Sequence, residues 1–96
     1  MRLIITARAE ADLEAIFDYI SQDSTSNAAS FVRQLREKIE RISRAPRIYS
    51  LRNAIAPGLR AAAHGNYLVF FRLEDGSIEV TRVIHGARNL DELIKD

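Results

Sequence analysis

Cysteine is absent from this 96-residue chain, and so is tryptophan. Without a thiol there is no disulfide scaffold, no thiolate zinc site and no cysteine nucleophile. The absence is compatible with a reducing cytosol. No stretch approaches the roughly 18 apolar residues of a membrane span. Residues 1–6 begin apolar, but charge returns at Arg8 and Glu10, so no signal peptide is expected. The sequence reads as cytoplasmic, with no membrane partner. Glycine is too sparse for a phosphate-cradling loop, and Gly58-Leu59-Arg60 is too short to be one. The only histidines, His64 and His85, fall at the ends of different predicted strands without ligand-type spacing. Neither a metal nor another cofactor is therefore expected. No nucleophile signature surrounds any serine or threonine.

What is present is ordinary for a globular chain: 47% apolar and 28% charged residues, which argue against disorder. The length suits a single domain spanning residues 1–96. Net charge is +1 but unevenly spread: residues 1–24 net −3, residues 33–72 net +7 and residues 73–96 net −3. A basic middle fits nucleic acid or an acidic protein partner, or is simply a solvated helix face plus a basic loop.

Residues 2–6 are apolar and β-branched, which predicts a short strand. Thr6 is placed to cap the helix that follows, although Ala9 rules out a capping box. Ala9, Leu13, Ile16, Phe17 and Ile20 recur at helical spacing between acidic residues. Residues 21–27 are polar and break the pattern. Ala28, Phe31, Val32, Leu35, Ile39 and Ile42 form the stripe of a second helix, which Pro46 ends. Residues 46–58 have no period and read as a loop. Strands are predicted over 59–63, 67–73 and 78–84, with turns at Gly65-Asn66 and Asp75-Gly76. The tail, 89–94, suits one or two helical turns. The order is β-α-α-β-β-β: an α+β domain in two layers, a helical hairpin packed on a mostly antiparallel four-stranded sheet.

A two-residue turn at Asp75-Gly76 pairs Phe71 with Val80 and Val69 with Arg82. Alternation then puts Tyr67, Val69, Phe71, Leu73, Ile78, Val80 and Ile84 against the helices. The reverse face carries Leu68, Phe70, Arg72, Glu79, Thr81 and Val83. Two helices cover one side of a sheet, so Leu68, Phe70 and Val83 form an open apolar strip, a candidate protein interface. Arg82 falls among apolar neighbours and needs a carboxylate or several carbonyls, at the sheet end or in a cleft.

One constellation suits RNA cleavage, which needs an acid and a base on the ribose and leaving oxygens and cations on the phosphate. His85 is the candidate acid or base, and Arg60, Arg72, Arg82 and Arg88 are the candidate phosphate ligands. Glu79 opposite Arg72 weakens that arginine for the role.

Three blocks together resemble the RelE/ParE toxin superfamily. Residues 9–20 (AEADLEAIFDYI) resemble the first helix of ParE toxins. Gly58-Leu59-Arg60 with residues 65–72 (GNYLVFFR) resembles their central strands, and residues 78–90 (IEVTRVIHGARNL) resemble their last strand and its exit. The resemblance implies the fold already read. It also implies a cognate antitoxin that wraps the toxin, which would meet Leu68, Phe70 and Val83. RelE-type members cleave messenger RNA on the ribosome; ParE-type members poison DNA gyrase without cleaving RNA. Only Lys38 and Lys95 are lysines, and residues after Ile84 contain no tyrosine. The exit His85-Gly86-Ala87-Arg88 resembles the ParE branch, so gyrase inhibition is expected ahead of a ribosome-dependent RNA cleavage centred on His85. A non-toxic interaction module is the third reading.

Overall fold

A computed structural model of the chain describes residues 1–87. Strand β1 (Arg2–Ile5) leads into helix α1 (Ala7–Ser21) and helix α2 (Thr25–Arg44). After a short 3-10 turn at Pro46–Ile48 come β2 (Arg60–His64), β3 (Tyr67–Glu74) and β4 (Ser77–His85). The expected β-α-α-β-β-β order is the observed one.

Local chemistry sets the boundaries. The Ala9 N–H donates to Thr6 Oγ1 at 3.1 Å, so Thr6 is the cap of α1 as expected. The Asn27 N–H donates to Ser24 Oγ at 3.2 Å, which starts α2 earlier than its apolar stripe does. In the β3–β4 turn, Asp75 and Gly76 have φ of 32° and 81°. Two positive values in a two-residue loop match the twist of the strands it joins.

The sheet order is β1-β4-β3-β2, with β1 parallel to β4 and the other pairs antiparallel. Its helix-facing core gathers Leu13, Leu35, Ile39 and Ile42 from the helices with Val69, Phe71, Ile78, Val80 and Val83 from the strands.

The β3–β4 register departs from expectation at one point. Phe71 pairs with Val80, but Phe70 pairs with Arg82, so Thr81 is an extra residue in β4. A bulge of this kind shifts every later residue of its strand to the other face. Val69 therefore pairs with Val83, and Leu68 with Ile84. Val83 joins the helix-side core and Ile84 the reverse side, a swap of the expected positions.

The reverse side is not open either. Phe70, Leu59, Ala61 and Ile84 form a second small core, with Ile55, Ala56 and Leu68 packed against it. The aperiodic stretch between the 3-10 turn and β2 supplies Ile55, Ala56 and Leu59, so this part of the chain covers its own sheet. It is held by Arg52 N–H to Leu59 O at 2.6 Å, Ala61 N–H to Ser50 O at 3.3 Å and a bridge between Leu51 and Arg60.

Candidate functional site

With Arg72 weakened by Glu79, four residues were expected to support RNA cleavage: His85, Arg60, Arg82 and Arg88. Arg88, like the expected helical turn over 89–94, lies outside the described residues. Of the other three, the register separates His85 from Arg60, whereas Arg82 pairs with Phe70, one position from the β3 partner of Arg60. Arg60 pairs with Phe71 on β3 and His85 with Tyr67. Those positions are four residue steps apart, about 13 Å along β3.

Each of the three is also engaged. Arg60 Nη1 donates to the Tyr49 carbonyl at 2.7 Å, which ties the covering loop to β2. Arg82 is buried and makes a two-pronged contact with Asp12: Nε to Oδ2 at 2.8 Å and Nη2 to Oδ1 at 3.2 Å. The same Asp12 Oδ2 accepts the Val83 N–H at 2.9 Å. The cause lies in the topology. Strand β1 pairs with β4 only as far as Val80, and the chain then turns into α1. Beyond Val80 the edge of β4 needs other partners, and α1 and its cap supply them: Asp12 for Val83 N–H, and Thr6 Oγ1, which donates to the Thr81 carbonyl at 3.3 Å. His85 is exposed; its Nδ1 accepts the Ala87 N–H at 3.1 Å, and its ring lies edge-on to Tyr67 at 5.2 Å. Arg72 stands opposite Glu79, as expected. Among the described residues, no group of three or more metal-ligating side chains is gathered.

The expected antitoxin strip is corrected in its geometry. Phe70 is 1% exposed beneath the loop, and Val83 is 2% exposed on the helix side. Only Leu68 keeps accessible surface. Open apolar surface is found elsewhere, in more than one place. A shallow groove of about 450 Å³ runs between β1 and the helices, floored by Leu3, Ile5, Phe17 and Val32, with Arg33, Arg36, Glu37 and Glu40 around it. Arg36 and Glu10 clamp the helices together through two hydrogen bonds, 2.9 and 3.2 Å. The hydrogen bond from Arg36 holds the Glu10 carboxyl below its ordinary range, although burial opposes the shift.

Sequence reasoning missed one feature. Ile48 and Leu51 are exposed beside Arg44, Arg47 and Arg52. The signal was there in the basic middle of the chain, but without a period to say which side chains face out.

Among the described residues, no helix is long and apolar enough to cross a membrane. The fold is similar to that of a solved chain from a chromosomal ParDE toxin–antitoxin system of P. aeruginosa. The TM-score is 0.79 at 25% identity, covering 88% of this chain and 95% of that one. Over 92 residues the sequence is 32% identical to a toxin ParE1 of Mycobacterium tuberculosis, covering 94% of each. A toxin ParE1 of Caulobacter vibrioides is 33% identical over 86 residues, covering 88% of each. The family model for the ParE toxin of the type II toxin–antitoxin system parDE matches residues 3–90. Spanning nearly the whole chain, that match and these relatives establish that it belongs to the ParE toxin family of type II toxin–antitoxin systems.

Proposed function

We propose that this toxin acts by binding and inhibiting DNA gyrase, and not by cutting RNA. The observation that carries the reading is the dispersal of the candidate cleavage residues. A ribonuclease needs its acid, base and phosphate ligands within hydrogen-bond reach of one phosphodiester. Here Arg82 is engaged by Asp12 and Arg60 by the Tyr49 carbonyl, while His85 closes β4 three residues beyond Arg82 and four register positions from Arg60. A target of this kind places the chain in the cytoplasm.

The experiment is a supercoiling assay with purified gyrase, run beside an RNA integrity assay after induction of the toxin. Inhibited supercoiling, intact messages and an unaltered effect of His85→Ala are expected. Undisturbed supercoiling at saturating toxin sinks the reading. Cleaved messages that depend on His85 replace it with the ribosome-dependent endoribonuclease.

Family membership brings an antitoxin partner with it. With the reverse strip covered, we place the antitoxin segment along the groove of Leu3, Ile5, Phe17 and Val32, where apolar surface is open and β1 is an edge strand among the described residues. Val32→Asp is expected to weaken antitoxin binding at least tenfold in a calorimetric titration, on the order expected for a charge set into an apolar contact. Unchanged affinity would move the segment elsewhere.

A further inference from the structure

Ile48 and Leu51 stand in water, 75% and 48% exposed. A slack loop is not the reason. Pro46 is buried, and the Tyr49 ring meets Phe71 edge-on at 6.0 Å. The Tyr49 carbonyl accepts from Arg60, and the Ser50 carbonyl accepts from the Ala61 N–H. With its neighbours anchored inward, the segment holds Ile48 and Leu51 outward. Within four residues of them in the chain, Arg44, Arg47 and Arg52 are also exposed. Between Glu40 and Glu74 the chain has six arginines and no carboxylate. Two of the six face other duties, Arg60 on the Tyr49 carbonyl and Arg72 opposite Glu79. The result is a fixed cationic surface with two apolar knobs.

We propose that this surface, formed by Arg44, Arg47, Ile48, Leu51 and Arg52, docks an acidic, apolar-bearing protein surface on the target enzyme. The proposal rests on the gyrase reading and names the chemistry of the contact. Guanidinium forks match carboxylates in two-pronged geometry and steer an acidic partner from a distance. Phosphates would satisfy the arginines equally well, but a phosphate backbone leaves Ile48 and Leu51 in water. Only a partner with apolar side chains of its own removes water from them, and such central apolar contacts dominate protein interfaces.

The test uses the full chain and purified gyrase, with affinity measured across a range of salt concentrations. Arg47→Glu/Arg52→Glu and Ile48→Ala/Leu51→Ala alter exposed side chains only, so both variants are expected to melt near the wild type and to keep antitoxin binding. Charge reversal should weaken gyrase binding by roughly thirtyfold or more at low salt and flatten its salt dependence. The apolar truncation should weaken it by about tenfold with the salt dependence retained. Wild-type binding that neither variant changes overturns the surface and leaves the gyrase reading standing. No wild-type binding overturns both. Arginine-dependent binding to a bare DNA duplex, indifferent to Ile48→Ala/Leu51→Ala, would make this a nucleic-acid surface and overturn the proposal.

Discussion

Asp12 is the residue on which the most geometry converges. One carboxylate accepts two hydrogen bonds from the buried Arg82 and one from the Val83 N–H. Removing one partner of a buried ion pair leaves the other charge without compensation, which typically costs about 3–5 kcal/mol. Asp12→Ala is therefore expected to lower stability by that order in urea denaturation, and a loss below about 1 kcal/mol would mean that water replaces the carboxylate. Phe70 makes a second case at this scale. On an open strip, Phe70→Asp would disturb only a partner. At 1% exposure within the second core, the same change buries a charge beside Leu59, Ala61 and Ile84. Unfolding of the variant is expected, visible as a lost cooperative melt, and Phe70→Ala should cost about 3–5 kcal/mol. A folded Phe70→Asp protein would show that the loop yields easily.

Among the elements, the helix hairpin has its own pH dependence. Glu10 on α1 and Arg36 on α2 are both about half exposed, so their pair is worth only about 0.2–1 kcal/mol. The folded carboxyl titrates below its ordinary value of 4.5. Its stabilisation is therefore present above that value and fades as pH falls through the lower, folded one. Glu10→Gln should separate from the wild type in urea midpoint at neutral pH and converge with it in acid. A gap that persists in strong acid would assign the effect to packing. At the same scale lies what the sequence made legible. Apolar spacing located both helices, and the Asp75-Gly76 turn located the hairpin and its first pairs. The bulge was not legible. Thr81 looks like any alternating strand residue, and the reason for the extra residue is tertiary: β4 outruns β1 there and turns to Asp12 and Thr6 on or beside α1. That one residue exchanged Val83 and Ile84 between the faces, and the loop carrying Ile55, Ala56 and Leu59, which has no period to reveal it, covered the rest of the expected strip. Arg82 was flagged as needing a carboxylate, but its partner lies 70 positions away in the chain, and nothing local points to it.

At the scale of the whole molecule, the sheet is a partition between two cores of unequal size. The helices cover one side over two long elements. The other is covered by a loop without regular structure, tied down chiefly by Arg60 to the Tyr49 carbonyl and by the bonds Arg52 to Leu59 and Ala61 to Ser50. Loops held by few buried contacts open locally at free energies well below that of global unfolding. Amide hydrogen exchange is thus expected in two classes. The amides of Ile55, Ala56 and Leu59, bonded only within the loop, should exchange early. Those of the helix-side strands, such as Phe71 and Val80, should exchange only with the whole molecule. Arg60→Met removes the tie and should speed the loop amides alone by roughly tenfold or more, since a hydrogen bond from a charged group contributes about 1.5–3 kcal/mol. The surface proposed for the target is carried on the same loop, so loosening it should weaken gyrase binding without touching a contact residue. Uniform protection of loop and strands in the wild type would instead mean that the two cores open as one cooperative unit.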